Sequence, residues 1–211
     1  MKSTIDVINQ SVRYLAGVGG DPAIPPALEV EGLGADDLVA FQAQLDTTQT
    51  LHTTRTDLEG QMVVALKDRD QARTAARNYL KYFRRRVRAA GKHNPLLLDR
   101  LPVKGTLPTA LAKLTILMRN TLEIALSEEI APLLDDEGYS QARLEQGQTR
   151  LSDLETRQSA YLQAKAAKEQ ATADLNQAIR VLSRWNGRGT EAARAAFRDN
   201  PQQLEALGIQ V

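Results

Sequence analysis

The chain has 211 residues with 27 lysines and arginines against 26 aspartates and glutamates, so its net charge of +1 creates no global field to steer a polyanion. Cysteine is absent, which excludes a disulfide framework, a thiolate zinc site, an iron–sulfur cluster and a cysteine nucleophile. Aromatic residues amount to only 4%, while Leu, Ala, Arg and Gln dominate, a composition of good helix formers that predicts an all-α fold.

Ile5, Ile8, Val12 and Leu15 recur at helical spacing and predict a short amphipathic helix ending at Gly17. Asp6, Asn9, Gln10 and Arg13 interrupt any signal-peptide hydrophobic region, so the chain is expected to be cytoplasmic. Residues 18–34 are rich in glycine and carry Pro22, Pro25 and Pro26. They read as a loop, with the alternation of Leu28, Val30 and Leu33 suggesting a short extended hairpin.

Ala35-Asp36-Asp37 has the character of a helix start. From Leu38 through Phe41, Leu45, Leu58, Met62, Ala72, Ala76, Tyr79, Phe83 and Val87 the apolar spacing stays near 3.5, which predicts one helix running to Gly91, about 80 Å long at ~1.5 Å per residue. Thr47, Thr48, Thr50, Thr53, Thr54, Thr56 and Gly60 disfavour helix locally, so a kink or break is expected within 46–60.

Asn94-Pro95 opens a short segment, and 102–108 is the expected connector. Leu107, Leu111, Leu114, Leu117, Met118, Leu122 and Ala125 form a strongly apolar helix closed by Pro132 and Gly138. Charges at Lys113, Arg119, Glu123, Glu128 and Glu129 prevent that stretch from spanning a bilayer. A second long pattern runs from Leu144 through Leu154, Tyr161, Leu175 and Leu182 to Trp185, ends near Gly187 and Gly189, and precedes a short 191–198 helix.

The halves resemble one another. A shift of 99 lays Leu45 on Leu144, Ala65 on Ala164 and Gln71-Ala72 on Gln170-Ala171, and a shift of 106 aligns the tails, Asn94-Pro95 with Asn200-Pro201 and Leu101 with Leu207. The expectation is two pseudo-symmetric repeats, 1–103 and 104–211, each a shorter helix plus one long helix, forming an elongated antiparallel bundle. The tail Asn200-Pro201-Gln202-Gln203-Leu204-Glu205-Ala206-Leu207-Gly208-Ile209 resembles the end of a group of bacterial helical proteins with an N/S-P-x-x-L-x-x-F/L-G-I/V pattern after a long Ala- and Arg-rich helix. The first half departs from it at Leu101-Pro102-Val103, where the pattern has glycine, and Leu207 stands where an aromatic is usual. The resemblance implies an architecture and no activity.

His52 and His93 lack partners at metal-ligand spacing, and Gly17, Gly19 and Gly20 lack the strand and Gly-Lys-Ser/Thr context of a phosphate loop. Glu128, Glu129, Asp135, Asp136 and Glu137 form an acidic corner without calcium-loop spacing. No catalytic residue, metal site or cofactor is expected. At ~100° per residue, Arg73, Arg77, Lys81, Arg84, Arg85, Arg88 and Lys92 fall in one solvent-facing arc of roughly 120°, opposite Tyr79, Leu80, Phe83, Val87 and Ala90. Like charges at i,i+4 repel, so something should offset them. The arc reads either as a solvated face or as a surface for an anionic partner, which is nucleic acid or the acidic corner of a second copy. The reading adopted is a non-enzymatic structural or assembly protein that self-associates through helical faces and a basic-to-acidic contact, into a ring or filament, with non-specific nucleic-acid binding by residues 73–92 as the alternative.

Overall fold

The computed structural model describes residues 3–210 and is an all-α antiparallel bundle: eight helices and, among the described residues, no strand. No helix among these residues is long and apolar enough to cross a membrane. α1 (Thr4–Gly20) opens with a reciprocal cap in which the Asp6 N–H donates to Ser3 Oγ at 3.2 Å and the Ser3 N–H donates to Asp6 Oδ2 at 3.0 Å. The helix continues through Gly17, the expected stop. A Cβ there would strike the Ala206 carbonyl oxygen and lie 3.0 Å from Leu207 Cα, so this glycine serves a close approach and not a helix end.

Where the alternation suggested a hairpin, the chain forms α2 (Ile24–Val30). Its prolines fall in the first turn, where the missing N–H has no partner to lose. Gly32, at φ +79°, then turns the chain into α3 (Ala35–Ala90), 56 residues without a break. The helix does not break within 46–60. Thr47, Thr48, Thr50, Thr53, Thr54 and Thr56 each donate Oγ1 to the carbonyl four residues back at 2.7–3.2 Å, so the hydroxyls join the helix rather than compete with it.

After α3 come α4 (Pro95–Arg100), α5 (Leu111–Ala125) and α6 (Ala131–Asp136), which has Pro132 in its first turn. α7 (Gln141–Ala196) is also 56 residues long and α8 (Pro201–Ala206) is the last helix. α7 runs through Gly187 and Gly189 and absorbs the separate helix expected at 191–198. At Gly189 a Cβ would sit 2.8 Å from Tyr14 Cζ, and the Tyr14 hydroxyl donates to the Gly189 carbonyl at 2.9 Å.

The two halves keep one spacing. Ala35 and Gln141 begin the long helices 106 residues apart, as Pro95 and Pro201 begin the short ones, while Thr4 and Leu111 are 107 apart. Burial follows the same offset: Ile24, Leu28, Leu33, Leu45 and Ala72 are buried, and so are Ile130, Leu134, Tyr139, Leu151 and Ala178. The register of 99 along the long helices is therefore displaced by seven residues from the structural one. Seven residues are two turns, so a pattern with a period near 3.5 matches itself almost equally well after that slip.

The chain divides into two compact units, and both 1–103 and 104–211 contribute to each. The first, Met1–Gly60 with Ala166–Val211, joins α1, α2 and the start of α3 to the end of α7 and α8. Inside it Asp37 pairs with Arg188 at 2.9 Å, Phe41 stacks on Trp185 at 5.8 Å, and Gln44 reaches the Ala178 carbonyl, contacts whose order shows that the two helices run antiparallel. Tyr14, Ile24, Leu28, Leu33, Phe41, Leu182, Ala193 and Leu207 form its core. The second unit, Gln61–Lys165, joins the end of α3 and α4 to α5, α6 and the start of α7. The Tyr79 hydroxyl donates to the Arg143 carbonyl, Asp68 pairs with Arg157, and Leu80, Phe83, Val87, Leu114, Met118, Leu134, Leu144 and Leu154 are buried together.

Candidate binding surfaces

Six of the seven cations of 73–92 lie on the end of α3 and Lys92 in the turn after it, all in the second unit, and four of them bind the chain itself. Arg84 donates from Nε to the Val103 carbonyl at 3.2 Å and from Nη2 to the carbonyls of Lys104 and, at 3.0 Å, Gly105. Arg88 Nε reaches Val103 O at 2.9 Å, Arg77 Nη1 reaches Pro108 O at 3.1 Å, and Arg73 Nη2 donates to Thr109 O. The connector 103–109 is thus laid along the arginine face.

This corrects the solvent-facing arc at three positions: Arg84 is only 4% exposed, and Arg73 and Arg77 are half-buried. Burial, with the Arg88 cation beside it, pulls the Arg84 guanidinium below the ordinary arginine value. The physical reason lies in the connector, which has no helical ladder to satisfy its carbonyls, while each guanidinium offers five donors and no acceptor. These hydrogen bonds also supply the offset that like charges at i,i+4 require. Lys81, Arg85, Arg88 and Lys92 remain exposed, as does Arg86, and Tyr82 among them is 67% exposed. The unpaired carbonyls of a Pro- and Gly-containing segment were a signal available in the sequence.

Glu128 and Glu129 lie between α5 and α6, Asp135 and Asp136 end α6, and Glu137 follows; all five are exposed. Glu129 is paired with Arg100 at 3.3 Å, an exposed contact that contributes little. Among the described residues no group of three or more His, Cys, Asp or Glu is placed to hold a metal ion. His52 is half-buried in a small groove with Ile5, Ile8, Gln49 and Thr53, and His93 is exposed in the turn after α3.

Two surfaces escaped the sequence reading. In the second unit one face of α3 carries a shallow strip lined by Val63, Leu66, Lys67, Asp70, Thr74 and Ala75. Val63, Val64 and Leu162 are 54%, 60% and 52% exposed. In the first unit an open groove of about 870 Å³ runs between α1 and α7, with Val7, Ile179, Arg180, Asn186 and Arg194 in its wall. Asn186 is buried, its Nδ2 donating to the Val7 carbonyl at 3.2 Å, and the buried Ser11 Oγ lies 3.0 Å from both Asn186 Oδ1 and that carbonyl. The corresponding positions in the second unit are the apolar Leu80 and Met118, so this polar pair is peculiar to the first. Nearby, burial pushes the Tyr14 phenol up to about 12. The chain matches no protein-family model, no curated protein and no solved structure.

Proposed function

We propose that this chain works by binding and not by catalysis, as a structural or assembly protein that associates with further copies of itself through exposed helical faces. One observation carries the reading. Residues 49–71 of α3 and 155–170 of α7 contain no buried side chain, yet Val63, Val64 and Leu162 stand there largely exposed. Long helices draw most of their stability from tertiary packing, and covering such side chains gains roughly 25 cal/mol per Å² of apolar surface. The net charge of +1 sets up little repulsion between copies.

A basic-to-acidic contact adds to this through the exposed cations that do not hold the connector, Lys81, Arg85 and Lys92, and the carboxylates of Glu128, Asp135, Asp136 and Glu137 in a second copy. Because donor and acceptor patches differ, the contact is head-to-tail and propagates into a ring or filament. The uniform 106–107 spacing supports descent of the chain from duplication of one helical repeat. Sedimentation velocity over a concentration series tests the proposal. Wild type is expected to form oligomers that Val63→Glu with Leu162→Glu disperses, and a wild-type protein that stays monomeric at high concentration refutes it.

The nucleic-acid alternative draws on the exposed Tyr82 flanked by Lys81, Arg85 and Arg86, which suits base stacking beside phosphate contacts. Titration with single-stranded DNA at two salt concentrations decides it, since absence of binding at low salt removes the reading.

A further inference from the structure

The near-neutral total hides a segregation of charge. From Tyr14 to Thr54 the sequence has six aspartates and glutamates and no lysine or arginine, whereas residues 71–122 have 12 lysines and arginines and one aspartate. The first stretch lies wholly in the first unit and the second wholly in the second. Over all their residues the first unit has 9 cations against 14 carboxylates and the second 18 against 12, which leaves −5 and +6. Excesses of opposite sign that nearly cancel suit a chain that meets copies of itself. A polyanion would match the cations alone and be repelled by the carboxylates.

Within each stretch one patch joins exposed charge to an exposed apolar side chain. On α3 Tyr82 is 67% exposed, with Lys81 beside it and Arg85 and Arg86 one turn on. All four are exposed and, among the described residues, in no hydrogen bond or ion pair. Where α2 gives way to α3, Val30 is 83% exposed between Glu29 and Glu31, and Val39, 69% exposed, follows Asp36 by three residues on one helical face. These three carboxylates are exposed and in no ion pair among the described residues, Arg188 being engaged with Asp37 and the Gly32 carbonyl. We propose that the basic patch around Tyr82 of one copy docks on the acidic patch around Val30 of a second copy.

This inference rests on the self-association proposed above and names its charged surfaces. The carboxylates at 128–137 are the poorer match, because they lie in the cationic unit and Glu129 there is held by Arg100. The duplication supplies a comparison. Counting 106 onward, Glu29, Val30, Glu31 and Val39 become Asp135, Asp136, Glu137 and Glu145, and Lys81, Tyr82, Arg85 and Arg86 become Gly187, Arg188, Glu191 and Ala192. Neither combination of an apolar centre with charges of one sign is therefore demanded by the repeat architecture. Covering the apolar centres supplies affinity, while the opposed charges around them set orientation and speed of encounter.

Charge reversal tests the contact by sedimentation velocity of the intact protein. Arg85→Glu with Arg86→Glu and, separately, Glu29→Lys with Glu31→Lys are each expected to weaken self-association at least about tenfold. An equimolar mixture of the two should regain wild-type affinity, since each then presents the charge that the other needs. Raising salt from about 0.05 to about 0.5 M should weaken wild type and mixture alike. A mixture that associates no better than its components overturns the proposal, as does rescue of the arginine variant by Asp135→Lys with Asp136→Lys in place of the Glu29 and Glu31 variant. Oligomers that survive both reversals overturn it while self-association stands, and a monomeric wild type removes both.

Discussion

Arg84 and Arg85 are neighbours in sequence with opposite fates. Helical winding places both within one cationic arc, but only Arg84 turns to the edge that the connector covers, where it meets three carbonyls. Arg85 faces water. Replacing Arg84 by Ala removes charge-assisted bonds to a segment with few other donors, and we expect a loss of about 2 kcal/mol of stability. Arg85→Ala should stay within about 0.5 kcal/mol of wild type. Urea denaturation of the two variants checks both values, and equal losses would show that the connector is not held as described. The sequence displayed the charges and their common face. It did not say which were occupied, because that depends on where a structureless segment some twenty residues away comes to lie.

Among the helices, glycine misled the sequence reading most, and for one reason. Glycine punctuates helices, so Gly17, Gly187 and Gly189 predict stops, yet all three lie inside α1 or α7. What a helical glycine does depends on its neighbour. At Gly147 a Cβ would stand 2.5 Å from Tyr79 Cζ and 2.7 Å from Leu122 Cδ2, whereas at Gly60 nothing lies within 4 Å. Gly60→Ala should therefore stabilise by about 0.5–1 kcal/mol through helix propensity and the unfolded chain. Gly147→Ala should destabilise by about 1–2 kcal/mol as overpacking exceeds that gain. Thermal unfolding followed by circular dichroism reads the two signs, and a rise in both melting temperatures would contradict the packing at Gly147. The threonine-rich stretch teaches the complementary lesson: propensity argues for a break, yet the helix continues through it with each hydroxyl bonded to the carbonyl four residues back.

For the chain as a whole, the two buried clusters divide the stability. One is centred on Phe83, Leu114 and Met118, the other on Phe41, Leu28 and Leu182, while residues 49–71 and 155–170 contribute no buried side chain to either. Local opening follows apolar burial, so amides in those two stretches should exchange with deuterium more than about tenfold faster than those at 76–87 and 178–193. Uniform protection along α3 and α7 would instead mean that those stretches are covered, as by another copy at the concentration used, and dilution would then restore the difference.

The sequence alone determined the all-α class, the two long helices and the offset of the tails, because these depend on side-chain periodicity and on the fixed meanings of Asn-Pro and of glycine after a helix. Tertiary structure decided the register between the halves, since a seven-residue slip leaves a heptad-like pattern unchanged. It also decided which segments share a core: each compact unit takes pieces from both halves, and periodicity carries no information about which helix a buried face meets. The connector's seat on the arginines follows from that pairing, so it is legible only once the helices are packed.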